Sequence, residues 1–308
     1  MSTQVQRATP IHNTLDGRSL EETSDHIDNL NRIKAEMREA PIFEDEKEKQ
    51  KRFRQYHAAK AHVIEFYKEQ HKKQTYEFNI EIREKFFKSR RPVEMSVWEA
   101  MVKLNAYVDE SDPDTEVTQI EHLLQTAEAM RRDGKPRWMI LTGLIHDLGK
   151  LLSAFGAEGQ WEVVGDTFPV GCAYHEKIIL HDNFKNNPDY NHPVYSTKYG
   201  VYSPGIGLDN LKMSWGHDEY LYHVVEGQST LPKDALAMIR YHSFYSWHSE
   251  GAYTEFMNES DHRKLAAVNA FNPYDLYSKS DEPPNVEELK PFYLELIDEF
   301  FPQRIIKW

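Results

Sequence analysis

The chain has 308 residues and a formal net charge of −13, enough length for one large domain or two small ones with a real core. Acidic residues spread along many segments argue against a nucleic-acid partner, which would require a basic stripe. No apolar run approaches about 18 residues and no signal region opens the chain, which argues against membrane insertion and secretion. Cys172 is the only cysteine, which excludes an intrachain disulfide and favours the reducing cytoplasm.

The amino-terminal region is polar and poor in aromatic side chains. We therefore predict a flexible tail over 1–40 and assign the catalytic domain to 41–308. The pattern that follows is long, charged and helical. Its packing faces are supplied by Phe53, Tyr56, Val63, Tyr67 and Phe86.

Two short motifs come next along the chain. In "SVWEA", Ser96 and Glu99 form a capping box that predicts the start of a helix. The acidic "DESDPD" at 109–114 cannot continue a helix through Pro113, and its Asp and Ser side chains suit a turn or a cap. A turn and a functional site are both compatible with this motif.

Two helices are predicted to carry histidines. In "IEHLLQTAEAM" an apolar stripe lies on one side and His122 faces the other way, and Gly134 closes this helix. The stretch "LTGLIHDLGKLL" at 141–152 predicts a helix pressed into a core. Its opposite face holds small residues with His146, Asp147 and Lys150, in place of the long charged side chains of a solvated face.

The second half of the chain begins with irregular structure. Residues 153–215 are rich in Gly, Pro, Asn and aromatic residues, and long ordered loops in a domain are commonly functional. Helical patterns resume at His217, at Pro232 and over 261–281, and Pro232 suits the first turn of its helix. Few strand patterns and no internal repeat occur, so the predicted fold class is mainly α, as a single compact helical domain.

Histidine is the candidate metal ligand, because the chain has fifteen His and one Cys and imidazole suits iron, copper, zinc or nickel. Each His taken singly is more often a satisfied core or surface residue. Two neighbouring helices that each present a His among small residues indicate a metal site, where Asp147 has two oxygens with which to bridge two cations. The His-Asp pair at His217 starts a helix and favours function, whereas the pair at His181 predicts a turn.

A series of motifs carries a resemblance to a known family. They are "DESDPD", "LIHDLGK" after His122, "VGDTFPVGC", "YST", "MSWGHDEY", "HSFYSWH" and "YDLYSK". In this order, from about Phe53 to Trp308, they resemble the myo-inositol oxygenase family of the HD-domain superfamily. The resemblance implies a compact, mostly helical monomer that uses two iron ions, Fe(II) and Fe(III), to convert myo-inositol and O2 into D-glucuronate in inositol catabolism.

The same resemblance implies roles for individual residues. One iron would be held by His122, His146, Asp147 and Asp275, and the other by Asp147, His217 and His242. Asp147 would bridge the two ions and, with Lys150, serve in catalysis. The implied contacts to myo-inositol are Arg54, Asp109, Glu110, Ser111, Lys150, Gly165, Asp166, His242, Ser243 and Lys279.

The ligand set bears on the chemistry of the implied centre. Four neutral imidazoles and two carboxylates carry two negative charges against the five positive charges of an Fe(II)/Fe(III) pair. The excess positive charge favours loss of a proton from a hydroxyl bound to the ferric ion. Lys150, one helical turn beyond His146, is placed to hold that oxygen. As the resemblance implies, myo-inositol binds one iron through adjacent oxygens and O2 binds at the other iron. A ferric superoxide then abstracts hydrogen from C1 of myo-inositol, which begins a four-electron oxidation.

Two other functions fit part of the pattern. An HD-superfamily phosphohydrolase would use a similar cluster to activate water on a phosphate, with Lys150 and Lys279 as its cationic groups. A non-catalytic iron-binding or sensor protein needs the ligands alone, and leaves the "DES" and "GD" motifs and the paired lysines without a role. Uptake of O2 on addition of myo-inositol separates the three.

Overall fold

Helices and short 3-10 turns make up most of the described chain. The computed structural model describes residues 61–106, 118–277 and 284–308. Its α-helices are α1, Ala61–Lys73; α2, Tyr76–Glu84; α3, Val97–Leu104; α4, Gln119–Arg132; α5, Arg137–Ile145; α6, His217–Glu226; α7, Lys233–Tyr241; α8, Tyr245–His248; α9, Glu259–Tyr277; and α10, Val286–Phe300. Strands β1, Glu94–Met95, and β2, Ile306–Lys307, pair antiparallel. The predicted mainly α fold in a single compact domain is confirmed.

Several predictions concern residues outside the described part of the chain. They are the tail over 1–40, the packing residues Phe53 and Tyr56, the acidic turn at 109–114, and the substrate contacts Arg54, Asp109, Glu110, Ser111 and Lys279. All of these stay predictions. Within the described ranges, every helix is too short or too polar to cross a membrane.

Local sequence signals mark the ends of several helices. The Ser96 hydroxyl accepts a hydrogen bond from Glu99 N–H, and the Glu99 carboxylate accepts one from Ser96 N–H, which is the predicted capping box. Gly134 follows α4 with φ +67°, the left-handed conformation that closes many helices. As predicted, α6 begins at His217. α7 begins at Lys233, so Pro232 lies one residue before the first turn in which the sequence places it.

The segment between α5 and α6 is irregular, as predicted, and short 3-10 helices interrupt it. These 3-10 helices are Leu148–Phe155, Gln160–Glu162, His181–Asn186, Pro188–Asn191 and Leu208–Asn210. Under the segment lies a second apolar cluster, in which Phe168, Phe184 and Trp247 are buried. His181 starts one of the 3-10 helices and its Nε2 lies 3.1 Å from the carbonyl oxygen of Tyr174, so this His-Asp pair occupies a local turn.

The prediction of one helix across 141–152 is wrong. α5 ends at Ile145, Asp147 has ψ 1°, and a 3-10 helix spans Leu148–Phe155. Successive side chains diverge by about 100° on a regular α-helix. The break lets neighbouring side chains point the same way, and His146 Nε2 lies 3.6 Å from Asp147 Oδ2.

Five helices surround one point of the main core. α4 packs on α5, α6 packs on α7, and α9 packs on α4, α5 and α7. The surrounding core is apolar, with Leu123, Leu144, Met238 and Phe271 fully buried. Because burial of each such side chain contributes about 1.5–3 kcal/mol, the core holds the helices in position around the polar groups that they carry.

Gly149 marks a close backbone approach between the 3-10 helix and α6. A Cβ at Gly149 would lie 2.0 Å from the carbonyl oxygen of His217, and backbone cannot swing aside as a side chain can. We expect Gly149→Ala to lower the free energy of unfolding by about 1–3 kcal/mol, read from the thermal midpoint. Gly227→Ala is the matched control, since a Cβ there meets nothing within 4 Å. Equal midpoints would contradict the role of this contact.

Candidate metal centre

Side chains from five parts of the fold converge on one buried point. Three overlapping sets of residues could each hold a metal ion: His122, His146 and Asp147; His146, His242 and Asp275; and Asp147, His217 and His242. Within each set the candidate ligand atoms lie within 4.8 Å of one another. The sets share members and so form one cluster, which contains all six predicted metal ligands.

The Asp147 carboxylate lies between the two sides of this cluster. Its Oδ2 lies 3.5 Å from Nε2 of His122 and 3.6 Å from Nε2 of His146. Its Oδ1 lies 3.3 Å from Nε2 of His217 and 3.7 Å from Nε2 of His242. Each oxygen therefore faces a different pair of imidazoles, an arrangement suited to a carboxylate that bridges two cations.

Asp275 joins the side formed by His122 and His146, and we call these three residues the first group. Its Oδ1 lies 3.1 Å from Nε2 of His122 and 3.2 Å from Nε2 of His146. α9 continues through Pro273, so the proline leaves Asp275 within the helix. Burial would raise the pKa of Asp275, but His146 and His122 outweigh burial and hold that pKa well below its usual range.

Three imidazoles are oriented by backbone carbonyls, which only accept hydrogen bonds. Nδ1 therefore carries a proton and donates it, and in the neutral imidazole the Nε2 lone pair is turned toward the cluster. His146 and His242 reach this arrangement in the same way, since each follows the last residue of an α-helix and contacts the carbonyl three residues back. The contacts are His146 to Gly143 at 2.9 Å, His242 to Ile239 at 3.0 Å and His217 to Val163 at 2.9 Å.

Charged neighbours shift the pKa values of Asp147 and His242. Burial alone would raise the pKa of Asp147, but Lys150 and the surrounding imidazoles hold it well below its usual range. Lys150 is itself buried, and its Nζ donates to Asp147 Oδ2 at 2.8 Å. Burial would lower the pKa of His242, yet Asp218 and Asp147 raise it above its usual value. Metal binding replaces protons at such sites, and imidazole nitrogens with carboxylate oxygens fit iron.

The predicted substrate contacts that fall within the described residues lie in this cluster or in segments joined to it. Ser243 follows His242, and its Oγ lies 3.5 Å from Nε2 of His217. The turn that carries Gly165 and Asp166 is tied to Ser243, because the N–H of Thr167 donates to the Ser243 carbonyl at 2.9 Å.

Helix α1 holds the Gly165 turn in place. Gly165 has φ +94°, and a Cβ there would lie 2.5 Å from Gln70 Nε2, so both the backbone conformation and the packing favour glycine. The same Nε2 donates to the carbonyl oxygens on either side of Gly165. Tyr67 Oη donates to Asp166 Oδ1 at 3.2 Å, so α1 also orients the Asp166 carboxylate.

Asp218 is a polar residue of the cluster that sequence reasoning missed. It is fully buried, and its Oδ1 lies 2.7 Å from Nε2 of His217 and 3.4 Å from Nε2 of His242. The sequence favours function for the pair at 217–218 but predicts a role for the histidine alone. Its repetition of the His146–Asp147 dipeptide was the signal that could have found it.

Known proteins are similar to this chain over most of its length. The profile of the myo-inositol oxygenase family matches residues 60–308. The chain belongs to the myo-inositol oxygenase family. Inositol oxygenase 1 of Arabidopsis thaliana is 54% identical over 250 residues, which cover 80% of each chain. Probable inositol oxygenase of Oryza sativa subsp. japonica is 51% identical over 263 residues, 83% of this chain and 85% of that one. Inositol oxygenase of Dictyostelium discoideum is 48% identical over 259 residues, 82% of this chain and 89% of that one.

Membership in the myo-inositol oxygenase family confirms the resemblance and makes the chain an oxidoreductase. All six candidate ligands lie within the matched residues. The phosphohydrolase and the non-catalytic iron protein lose their support, because neither is an oxygenase. The metal roles of the six residues and the relation to the HD-domain superfamily stay predictions.

Proposed function

We propose that this enzyme cleaves the ring of myo-inositol with O2 to give D-glucuronate, and that it uses two iron ions, Fe(II) and Fe(III). The observation that carries the proposal is the position of Asp147, whose two oxygens face separate imidazole pairs. The substrate is taken from the relatives, which bear the name inositol oxygenase. The first group with Asp147 Oδ2 would hold one ion. His217 and His242, which we call the second group, would hold the other ion together with Asp147 Oδ1.

The overall reaction balances as a four-electron oxidation. Myo-inositol and one O2 give one D-glucuronate and one water; a ring C–C bond breaks, one oxygen atom enters the product and the other leaves as water. When bound, the iron pair supplies the site for O2 and the electron transfer to it. The protein must hold the substrate, exclude bulk water and stabilise the charge on a substrate oxygen.

The two groups offer different numbers of protein donors. The first group with Asp147 Oδ2 presents four, whereas the second group with Oδ1 presents three. Since catalytic metal sites leave positions open for substrate, we place the substrate oxygens at the second group. Ser243 lies beside this group, with Oγ 3.5 Å from His217 Nε2.

Recognition of myo-inositol rests on directed hydrogen bonds, because the molecule is uncharged and carries a hydroxyl on each ring carbon. Asp166 and Ser243 would supply such groups, and a site built this way rejects an analogue that leaves a buried partner unpaired. Lys150 supplies a buried cation next to Asp147. We propose that its ammonium group holds a substrate oxygen and favours the deprotonated form of that oxygen.

Tyr67→Phe tests the role of Asp166 through its hydrogen-bond partner. The change removes the Oη that donates to Asp166 Oδ1 and leaves the metal ligands untouched. Loss of one hydrogen bond is worth about 1 kcal/mol, so we expect KM for myo-inositol to rise roughly fivefold. Iron content should stay at the wild-type value. An unchanged KM would contradict the role of Asp166 in substrate binding.

Oxygen consumption tests the proposed reaction directly. Iron-loaded protein with myo-inositol should consume one O2 for each D-glucuronate formed, measured with an oxygen electrode and by chromatography. Zinc-loaded protein is the control, because Zn²⁺ accepts the same ligands but has no redox chemistry. Absence of O2 uptake by the iron-loaded enzyme would refute the proposal.

Spectroscopy tests the metal centre separately from turnover. Mössbauer or electron paramagnetic resonance spectra, recorded without O2, should show a coupled pair of irons in each chain. Addition of myo-inositol should change the spectrum of one iron more than that of the other, because the substrate would contact the second group. A spectrum of isolated mononuclear iron, or one that inositol leaves unchanged, would contradict the assignment.

A further inference from the structure

Asp218 places a third carboxylate against the cluster. The side chain is fully buried at the start of α6, and its Oδ1 lies 2.7 Å from Nε2 of His217 and 3.4 Å from Nε2 of His242. These two Nε2 atoms are the ones that Asp147 Oδ1 also faces. Asp218 therefore adjoins the second group.

The same carboxylate holds together three segments of the site. Oδ1 accepts a hydrogen bond from the Ser243 hydroxyl and Oδ2 accepts one from the Ser243 N–H, each at 3.2 Å. Oδ2 also accepts the Thr167 hydroxyl at 3.2 Å, next to the Gly165–Asp166 turn. Asp218 thus joins the start of α6, the residue after His242, and the turn that carries Asp166.

The distribution of negative charge gives Asp218 a second role. The first group contains the Asp275 carboxylate and also faces one oxygen of Asp147, whereas the second group faces only the other oxygen of Asp147. A cation in the second group would be the less neutralised of the two. Asp218 supplies the missing negative charge, and neighbours of metal ligands commonly tune affinity in this way.

We propose that Asp218 is a positioning residue that strengthens metal binding at the second group and orients Ser243 for the substrate. The inference rests on the proposed function, because it requires an ion at that group. The Ser243 hydroxyl has one proton and donates it to Asp218, so its lone pairs remain to accept a hydrogen bond from a substrate hydroxyl. Asp218 acts through its neighbours and not by contact with the ring.

Asp218→Asn tests the proposal, because asparagine keeps the shape and removes the charge. Fe(II) is titrated into the full-length protein without O2, in competition with a coloured chelator. We expect the wild type to bind two Fe(II). In the variant we expect one Fe(II) to bind as in the wild type and the other about 10–100-fold more weakly, together with a higher KM at saturating iron.

Two further variants separate this role from a general effect on folding. Asp234→Asn removes another buried carboxylate, which lies in the first turn of α7 and pairs with Arg263 of α9. This variant should leave both Fe(II) affinities unchanged. Ser243→Ala keeps the Asp218 charge and removes the hydroxyl, so it should bind two Fe(II) normally and raise KM. Thermal midpoints of all three are measured to compare their folding.

The outcomes distinguish this inference from the proposed function. A wild type that binds fewer than two Fe(II) contradicts the iron pair, and with it any role for Asp218 at a second ion. A wild type with two Fe(II) and an Asp218→Asn variant with the same two affinities contradicts Asp218 alone. Equal loss of iron in Asp218→Asn and Asp234→Asn also overturns the inference, since it would show only a need for buried charge.

Discussion

Replacing Asp147 by alanine is expected to abolish paired iron binding and ring cleavage together. The variant loses both oxygens that face the imidazole pairs. Of the candidate ligands, the first group then keeps three donors and the second group keeps two. An ion at the second group should dissociate, and turnover should fall below detection because the substrate position depends on that ion.

Iron per chain and the coupled spectroscopic signal are the measurements for this variant. Removal of Asp147 leaves the buried Lys150 without its partner carboxylate, and unpaired buried charge is costly, so Asp147→Asn is made alongside it and thermal midpoints are compared. Asp234→Ala is the control for loss of a buried carboxylate away from the cluster. An Asp147→Ala protein with two tightly bound irons and normal turnover would show that the bridging assignment is wrong.

Replacing Lys150 by alanine is expected to have the opposite pattern, with iron retained and turnover lost. The ammonium group contacts Asp147 Oδ2 at 2.8 Å but cannot itself be a metal ligand while it is protonated. Loss of one group that stabilises a developing negative charge typically costs about 10²–10³-fold in kcat. We expect a decrease of this size in Lys150→Ala, with iron content at the wild-type value.

Lys264→Ala is the matched control for Lys150→Ala. Lys264 is also a largely buried lysine with carboxylate partners, Asp209 and Asp261, each at 2.7 Å. It lies outside the candidate ligand groups, so its loss should lower the thermal midpoint without a decrease in kcat. Loss of iron from Lys150→Ala would contradict the substrate role of Lys150 and indicate that it supports the metal ligands.

The sequence predicted the members of the cluster better than the backbone that carries them. His122, His146, His217, His242 and Asp275 were assigned from the family resemblance, and the structure brings their ligand atoms together around Asp147. The helix predicted across 141–152 is divided after Ile145. Every residue of 141–152 is buried. The apolar spacing therefore fits a continuous helix and a divided one equally well.

Asp218 and Tyr67 are two polar residues of the site to which the sequence assigned no role there. Both are buried and contact polar groups of the site. Asp218 carries only the weak signal of a repeated His-Asp dipeptide, and Tyr67 carries no signal of a polar contact. Tyr67 lies 99 positions from Asp166 in the chain. A hydrogen bond between such distant residues depends on how α1 packs, and no local pattern reports it.

By itself the sequence determined the helical class, the capped ends of α3 and α4, the start of α6 at a glycine, and the residue types that suit a metal centre. These depend on backbone preferences and side-chain periodicity within a few neighbouring positions. Only the tertiary structure decided that Asp147 turns one oxygen to each imidazole pair and that Asp218 adjoins the second group. Residues as far apart as His146 and Asp275, 129 positions in the chain, meet there because burial of the shared apolar core holds their helices together.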